Sequence, residues 1–213
     1  MRFALLSRAT GSTARRLVGL ATATALLATA CGGGDEQAGV LSGVVRDPLP
    51  TMSSETLPSL SEPGEQVAFR ADPGELQVIY FGFTNCPDVC PTTMADLTVA
   101  LRKLGDDADK VDVVMVGIDP DRDLDVLDRY VTSFVPDATA AGTSDEELLR
   151  TIAEPFGANW EVRTLDDGTI EVDHSPFLYA VNDAGELVIS WQFGATSDDM
   201  SSDMSILLDR YQA

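Results

Sequence analysis

The sequence predicts an α/β protein with a central mixed β-sheet flanked by helices. Two observations support this fold class. Short, nearly continuous apolar runs alternate with stretches of helical periodicity between residues 76 and 156, and two further strand-like runs precede a last amphipathic stretch. Continuous apolar runs are typical of strands that are covered on both faces. The resulting order, βαβα followed by ββα, is the arrangement of the thioredoxin fold.

The individual elements are assigned from apolar patterning and from residues that begin or end helices. The predicted strands are residues 67–70, 76–83, 111–118, Phe177–Val181 and 187–191. The predicted helices are residues 91–104, 123–134, 144–156 and Ser197–Tyr211. Gly105 is expected to end the first helix. Ser144, with Glu147 three residues later, fits a capping box at the start of the third helix.

The first thirty residues predict a lipoprotein signal peptide. They hold four arginines and no acidic residue, and an apolar stretch then leads to Cys31. That stretch is about fourteen residues long, whereas a membrane-spanning helix needs roughly 20. The segment before Cys31 resembles a bacterial lipobox, although Ala28 stands where leucine is usual. We expect lipidation of Cys31 and a location at the outer face of the bacterial cytoplasmic membrane; the alternative is a secreted protein with an unmodified thiol.

Residues 31–56 predict a flexible tether and an extended lead-in, and residues 57–213 predict one folded domain. Three glycines follow Cys31 and are succeeded by polar residues, a composition typical of flexible linkers. Prolines are frequent between residues 45 and 75, which indicates extended segments and turns. The compact core is expected to begin near Leu57. The remaining chain is long enough for one substantial core.

The chain is strongly acidic, with 35 Asp and Glu residues against 14 Lys and Arg residues. Removal of the first thirty residues leaves ten basic residues against 35 acidic ones, a formal charge of −25. Such a surface repels nucleic acid, so we expect no nucleic-acid partner. The acids form either a solvated surface or an electrostatic face for a cationic partner, and the sequence does not choose between the two.

Cys86 and Cys90 lie where a predicted strand meets a predicted helix. Pro91 suits the first helical turn, so Cys90 is expected near the helix N-terminus. Unpaired N–H groups and the partial positive charge there favour a thiolate, which both metal binding and thiol exchange require. Three residues separate the two cysteines, and this spacing permits a structural disulfide, a redox disulfide or a shared metal ion.

His174 is the single histidine of the chain and precedes the predicted strand Phe177–Val181. In a thioredoxin-like sheet, a loop at this position faces the cysteine pair. Two thiolates and one imidazole form a soft donor set that suits Cu(I) and, with an added water or carboxylate, Cu(II). Structural zinc usually has a fourth protein ligand. Cys86, Cys90 and His174 are therefore the candidate metal ligands, and copper is the candidate metal.

Three ordered motifs resemble the Sco/SenC family. They are residues 81–91 around the cysteines, residues 116–123 with the Asp119-Pro120 pair, and Asp173-His174-Ser175 followed by a tyrosine-containing strand. The resemblance covers residues 57–211 and implies a thioredoxin fold that binds copper through the two cysteines and the histidine. It also implies that the protein helps to assemble the CuA centre of cytochrome c oxidase. The implied partners are the copper-bearing oxidase subunit and, additionally, another copper chaperone or a thiol reductant.

Several alternatives stay open at this point. Pro176 departs from the family pattern and either restricts the histidine loop or forms a cis peptide bond. Asp88 and Asp119 are candidates for outer groups of the site or for a weak Cu(II) ligand. We expect a tethered metallochaperone rather than an enzyme. The main alternative is a thiol-disulfide oxidoreductase that uses Cys86 and Cys90; a peroxidase and a purely structural lipoprotein are less favoured.

Overall fold

The computed structural model describes residues 39–211; the predicted signal peptide and Cys31 lie outside these residues. The strands are β1 Thr56–Pro58, β2 Gln66–Ala68, β3 Leu76–Gly82, β4 Val111–Gly117, β5 Thr139–Ala141, β6 Trp160–Thr164, β7 Ile170–His174, β8 Phe177–Val181 and β9 Leu187–Gln192. The helices are α1 Val89–Leu104, α2 Pro120–Asp123, α3 Leu127–Thr132, α4 Glu146–Ala153 and α5 Ser197–Tyr211, and a 3₁₀ helix Gly105–Lys110 follows α1.

The core of this region is a five-stranded mixed sheet in the order β5-β4-β3-β8-β9. Strand β3 is parallel to β4, which is parallel to β5, whereas β8 is antiparallel to both β3 and β9. Every residue of β3 is buried, because the central strand is covered on both faces. The predicted fold class, a thioredoxin-like α/β fold with a central mixed sheet flanked by helices, is confirmed.

The chain packs against this sheet before Leu57, where the compact core was expected to begin. Val44 forms an isolated antiparallel bridge with Ser190, and so covers part of the edge strand β9. The buried carboxylate of Asp203 accepts hydrogen bonds from the backbone amides of Ser42 and Gly43, at 2.8 and 2.9 Å. Asp203 also accepts a hydrogen bond from an indole N–H, that of Trp191 Nε1. The chain is thus tied to the domain from residue 42.

Three of the predicted helices have different bounds in the structure: α1 begins two residues earlier, at Val89, and the other two differ as follows. The stretch 123–134 is not one helix: α2 begins earlier, at Pro120, and α3 begins at Leu127. The break follows from Asp123, whose buried side chain is drawn inward to Thr84. Helix α4 is capped by Asp145, which accepts a hydrogen bond from the Leu148 amide at 3.1 Å, and not by Ser144.

Three short elements were not predicted: β1, β5 and the antiparallel hairpin of β6 and β7. Their sequences lack the continuous apolar run on which the strand predictions depend. Within residues 39–211, no helix is long and apolar enough to cross a lipid bilayer.

Candidate metal centre

The cysteine loop, defined here as residues 83–88, connects β3 to α1. Strand β3 ends at Gly82, where a Cβ atom would lie 2.7 Å from the ring of Tyr80 and 2.9 Å from Met115 Cε. Only a glycine permits this close approach, which brings the backbone tightly over the core. Helix α1 begins at Val89, so Cys90 lies in its first turn, as predicted. The Cys90 amide donates a hydrogen bond to Cys86 Sγ at 3.2 Å.

The buried side chain of Asp123 anchors the cysteine loop through hydrogen bonds to Thr84. Asp123 is completely buried, and its Oδ1 accepts hydrogen bonds from the Thr84 amide at 3.0 Å and the Thr84 hydroxyl at 2.6 Å. Burial raises the pKa of Asp123, and the Thr84 hydrogen bonds oppose that rise. This anchor could not be predicted from sequence, because an aspartate in a stretch predicted to be helical is normally exposed to solvent.

His174 approaches the cysteines from the β6–β7 hairpin, which is separate from the five-stranded sheet. It is the last residue of β7, paired with Trp160, and not part of a loop as the sequence analysis expected. Its Nε2 atom lies 3.7 Å from Cys90 Sγ. The ring packs edge-on against Phe83 and Tyr80, with centroid distances of 5.6 and 6.0 Å. These aromatic contacts restrict the orientation of the imidazole.

The residue after the histidine fixes the base of the hairpin. The Ser175 amide donates to the Asn159 carbonyl at 2.8 Å, and the Ser175 hydroxyl accepts from the Asn159 amide at 3.1 Å. The Ser175–Pro176 bond is trans, since the cis peptide bond of the described residues is Asp47–Pro48. Pro176 therefore does not form a cis peptide bond; it restricts the backbone two residues after His174.

The structure brings the three predicted ligands together. One donor atom from each of Cys86, Cys90 and His174 lies within 4.8 Å of the other two, and the two thiols are not bonded to each other. Within residues 39–211, this is the one group of three or more Cys, His, Asp or Glu side chains with such proximity. Two sulfurs and one imidazole nitrogen are donors that a soft metal ion prefers. The donor set and its compactness fit a bound Cu(I) ion.

The two acidic candidates do not join this group. Asp88 is exposed in the cysteine loop. Asp119 is 3 % exposed and forms an ion pair with Arg122, at the start of α2. The carboxylate of Asp119 is thus already paired with the Arg122 guanidinium. Asp88 lies at the rim of the cleft that leads to the cysteines.

Burial sets the protonation of the metal-free site. It raises the pKa of the Cys90 thiol to about 12, although hydrogen bonds from the Phe83 backbone and Tyr80 oppose the rise. Burial also lowers the pKa of His174. This desolvation opposes the thiolate that the helix N-terminus is expected to favour at Cys90. A metal ion would meet a neutral imidazole, which is the form that binds metals, and would displace the Cys90 proton.

The triad opens to solvent through a cleft of about 270 Å³. Cys86 and His174 lie on its wall, and Cys90 is completely buried behind them. Its other lining residues are mainly apolar and include Phe83, Pro87, Val89, Val172 and Pro176. Of the two sulfurs, Cys86 is the one accessible to an incoming molecule.

The chain was compared with known protein sequences. The family model described as SCO1/SenC matches residues 59–209. The SCO2-like protein RP587 of Rickettsia prowazekii is 32 % identical over 115 residues, which are 53 % of this chain and 56 % of that protein. Protein SCO2, mitochondrial, of Saccharomyces cerevisiae is 32 % identical over 120 residues, or 54 % and 39 % of the two chains. The matched segments thus cover between 37 % and 63 % of the length of the curated relatives.

Solved structures with the same fold cover more of the chain. ScoI of Bradyrhizobium japonicum, solved with copper bound, has a TM-score of 0.62 and 26 % identity, covering 76 % of this chain and 99 % of that one. The apo Sco1 protein of Thermus thermophilus has a TM-score of 0.66 and 29 % identity, covering 79 % and 97 %.

The unequal burial of the two cysteines predicts unequal reactivity. In the soluble domain, residues 35–213, Cys86 in a Cys90→Ser variant should react with iodoacetamide at about pH 8 at least about tenfold faster than Cys90 in a Cys86→Ser variant. The Cys90 rate should rise continuously with pH between about pH 8 and pH 10, because a pKa of about 12 keeps its thiolate a minor species. Mass spectrometry of quenched samples measures both rates.

Denaturation provides the control for this comparison. In concentrated urea, the two variants should react at similar rates, because the difference arises from folding. Equal rates in the folded proteins, or a plateau of the Cys90 rate near neutral pH, would contradict the buried protonated thiol.

Proposed function

Because the chain belongs to the SCO1/SenC family, we propose that it is a copper-binding protein that assists the assembly of cytochrome c oxidase. The observation that carries this proposal is the compact group of two cysteine sulfurs and one histidine nitrogen, all within 4.8 Å of one another. The structure of Bradyrhizobium japonicum ScoI, which has the same fold, contains bound copper, and this supports copper as the metal.

The ligands would be Cys86, Cys90 and His174. Bound copper would contribute a soft Lewis acid that two thiolates and an imidazole prefer over harder ions. The protein supplies a preformed site: Asp123 holds the cysteine loop through Thr84, and aromatic rings hold the imidazole. Burial keeps water and competing hard ligands away from Cys90.

The unequal exposure of the donors suits delivery of copper as cargo. Cys86 lies at the cleft, where a thiol or imidazole of an acceptor can replace it by ligand exchange. Cys90 is buried behind the cleft and retains the ion until the acceptor offers further ligands. We propose that the acceptor is the copper-bearing subunit of cytochrome c oxidase in its metal-free form, and that the delivered copper completes its CuA centre.

A second candidate function rests on the same cysteines. Both are thiols here, and the half-buried Cys86 sulfur, which lines the cleft, can attack a disulfide of a partner, after which Cys90 displaces the partner thiol. The products are a reduced partner and a Cys86–Cys90 disulfide, which a separate thiol reductant must reduce. The partner would be the metal-free oxidase subunit or another copper chaperone. This exchange does not require His174, which distinguishes it from copper carriage.

We also propose that the protein is anchored at the outer face of the bacterial cytoplasmic membrane by lipid attached to Cys31. The arginine-rich start, the apolar stretch and the lipobox-like residues before Cys31 support this location. A membrane tether would raise the local concentration of the domain near a membrane-bound oxidase.

Removal of the imidazole tests the copper site. We expect the reduced domain, residues 35–213, to bind one equivalent of Cu(I) in competition with a chelator, without oxygen. His174→Ala should weaken binding by about a hundredfold or more, because changes to groups outside the metal shell alone cost about 10- to 100-fold. Asp88→Asn, at the cleft rim but outside the triad, is the matched control and should leave the affinity unchanged.

The same variants separate the two functions. His174→Ala should keep most of its thiol exchange with a model disulfide, and Cys86→Ser should lose it. An unchanged Cu(I) affinity in His174→Ala would refute the triad. Absence of competitive Cu(I) binding by the unmodified domain would favour the oxidoreductase.

Replacement of Cys31 tests the anchor. When the full chain is expressed in a bacterium, Cys31→Ser should move the protein out of the membrane fraction and abolish incorporation of labelled fatty acid, because lipid attachment needs the Cys31 sulfur. Cys86→Ser is the control and should stay membrane-bound and labelled. Fractionation and labelling that are identical for Cys31→Ser and the unmodified chain would contradict lipidation.

A further inference from the structure

The hairpin of β6 and β7 has two chemically different faces. Directly opposed residues of an antiparallel pair place their side chains on the same face. One face therefore carries the pairs Trp160 with His174, Val162 with Val172, and Thr164 with Ile170. The other face carries the charged residues between them: Glu161, Arg163, Glu171 and Asp173. The hairpin is thus amphipathic along its whole length.

Only the base of the apolar face is covered by the domain. Trp160 is buried, and its ring lies parallel to that of Phe81 in the core. Further out, Val162 is 43 % exposed and Ile170 is 38 % exposed. Contiguous exposed apolar residues, bordered by charged ones, mark an interaction surface more often than scattered single residues do.

This face is continuous with the metal centre. Val172, opposite Val162, lines the cleft together with Cys86 and His174. A molecule that covers the Val162 and Ile170 side chains therefore also lies over the cleft, within reach of the Cys86 sulfur that lines it. His174 ends the same strand, so contact with the hairpin acts directly on the element that carries a ligand.

The charge around the apolar face selects the kind of molecule that can cover it. Residues 160–174 hold five acids, Glu161, Asp166, Asp167, Glu171 and Asp173, and a single base, Arg163, which is paired with Asp173. Asp88 adds a further acid at the cleft rim. This rim attracts lysine and arginine side chains and repels an anionic lipid surface.

We propose that the apolar face of the β6–β7 hairpin is the docking surface for the protein that accepts copper from this site. The partner presents an apolar segment, bordered by lysine or arginine residues, next to its own metal ligands. Docking places those ligands over the cleft and in contact range of Cys86. The inference rests on the proposed copper delivery and adds where, and by which chemistry, the acceptor is recognised.

The test compares copper transfer from matched double variants. The full chain is loaded with Cu(I) and mixed with the purified, reduced, metal-free soluble domain of the copper-bearing oxidase subunit, and the transfer rate is measured by stopped flow. Val162→Ser/Ile170→Ser removes two exposed side chains of the docking face. The control, Val45→Ser/Val99→Ser, removes two valines that are 48 % and 38 % exposed elsewhere on the domain.

At subsaturating acceptor, transfer from the hairpin variant should be at least about tenfold slower than from the unmodified chain, since loss of apolar anchors weakens docking. The control should transfer at the unmodified rate, and all three proteins should bind Cu(I) with equal affinity. Glu161→Gln/Glu171→Gln should reduce the dependence of the transfer rate on salt, because it removes acids that attract the basic rim.

The outcomes separate this inference from the proposed function. Failure of the unmodified chain to bind Cu(I) overturns copper delivery itself. Tight Cu(I) binding with equal transfer rates for the hairpin and control variants overturns the docking surface alone. Tight Cu(I) binding with no transfer to this acceptor overturns delivery to the oxidase subunit, and the docking surface with it. Cosedimentation of the unmodified domain, but not the hairpin variant, with phosphatidylglycerol vesicles would assign the apolar face to lipid and overturn the protein partner.

Discussion

The contact between Cys90 and His174 is the constraint on which the site depends. The sulfur and the imidazole nitrogen lie 3.7 Å apart, although their residues are 84 positions apart in the chain. The contact forms only if β3 delivers the chain to the start of α1 and the β6–β7 hairpin ends beside it. It also requires that two titratable side chains share a desolvated space. Burial meets this requirement by raising the pKa of the Cys90 thiol and lowering that of His174, so that both are uncharged in the metal-free protein.

The remainder of the site becomes more exposed to solvent from the anchored turn after β3 towards the β6–β7 hairpin. Asp123 and Gly82 fix the two ends of the turn from β3 into the cysteine loop, one by hydrogen bonds and one by close packing. Cys86 lies beyond them at the cleft, and the amphipathic hairpin extends further into solvent. A site that both retains a metal ion and releases it needs donors of different accessibility. Retention depends on the buried donor, Cys90, and release depends on access to Cys86 at the cleft. The acidic surface then favours encounter with a basic partner.

Much of the sheet could be predicted from sequence because its strands are continuous apolar runs. The bounds of β8 and α5 agree with the prediction, and β3 and β4 differ from it by one residue. The β6–β7 hairpin could not be predicted from continuous apolar runs, since residues 161–171 are all exposed. The signal that it does carry is the alternation of apolar and charged residues in 160–164 and 170–174, on either side of a turn at 166–168. Cysteine spacing and the single histidine identified the triad without any knowledge of the hairpin. The protonation of Cys90 and the buried role of Asp123 depend on packing from distant segments, which local sequence does not encode.

The proposed site holds one copper ion between two cysteine sulfurs and one histidine nitrogen. X-ray absorption at the copper edge, recorded on the Cu(I)-loaded domain and on His174→Ala, tests this most directly. We expect two sulfur scatterers and one nitrogen scatterer around copper in the unmodified domain, and loss of the protein nitrogen in the variant. Identical spectra for the two proteins, or a shell of sulfur scatterers alone in the unmodified domain, would contradict it.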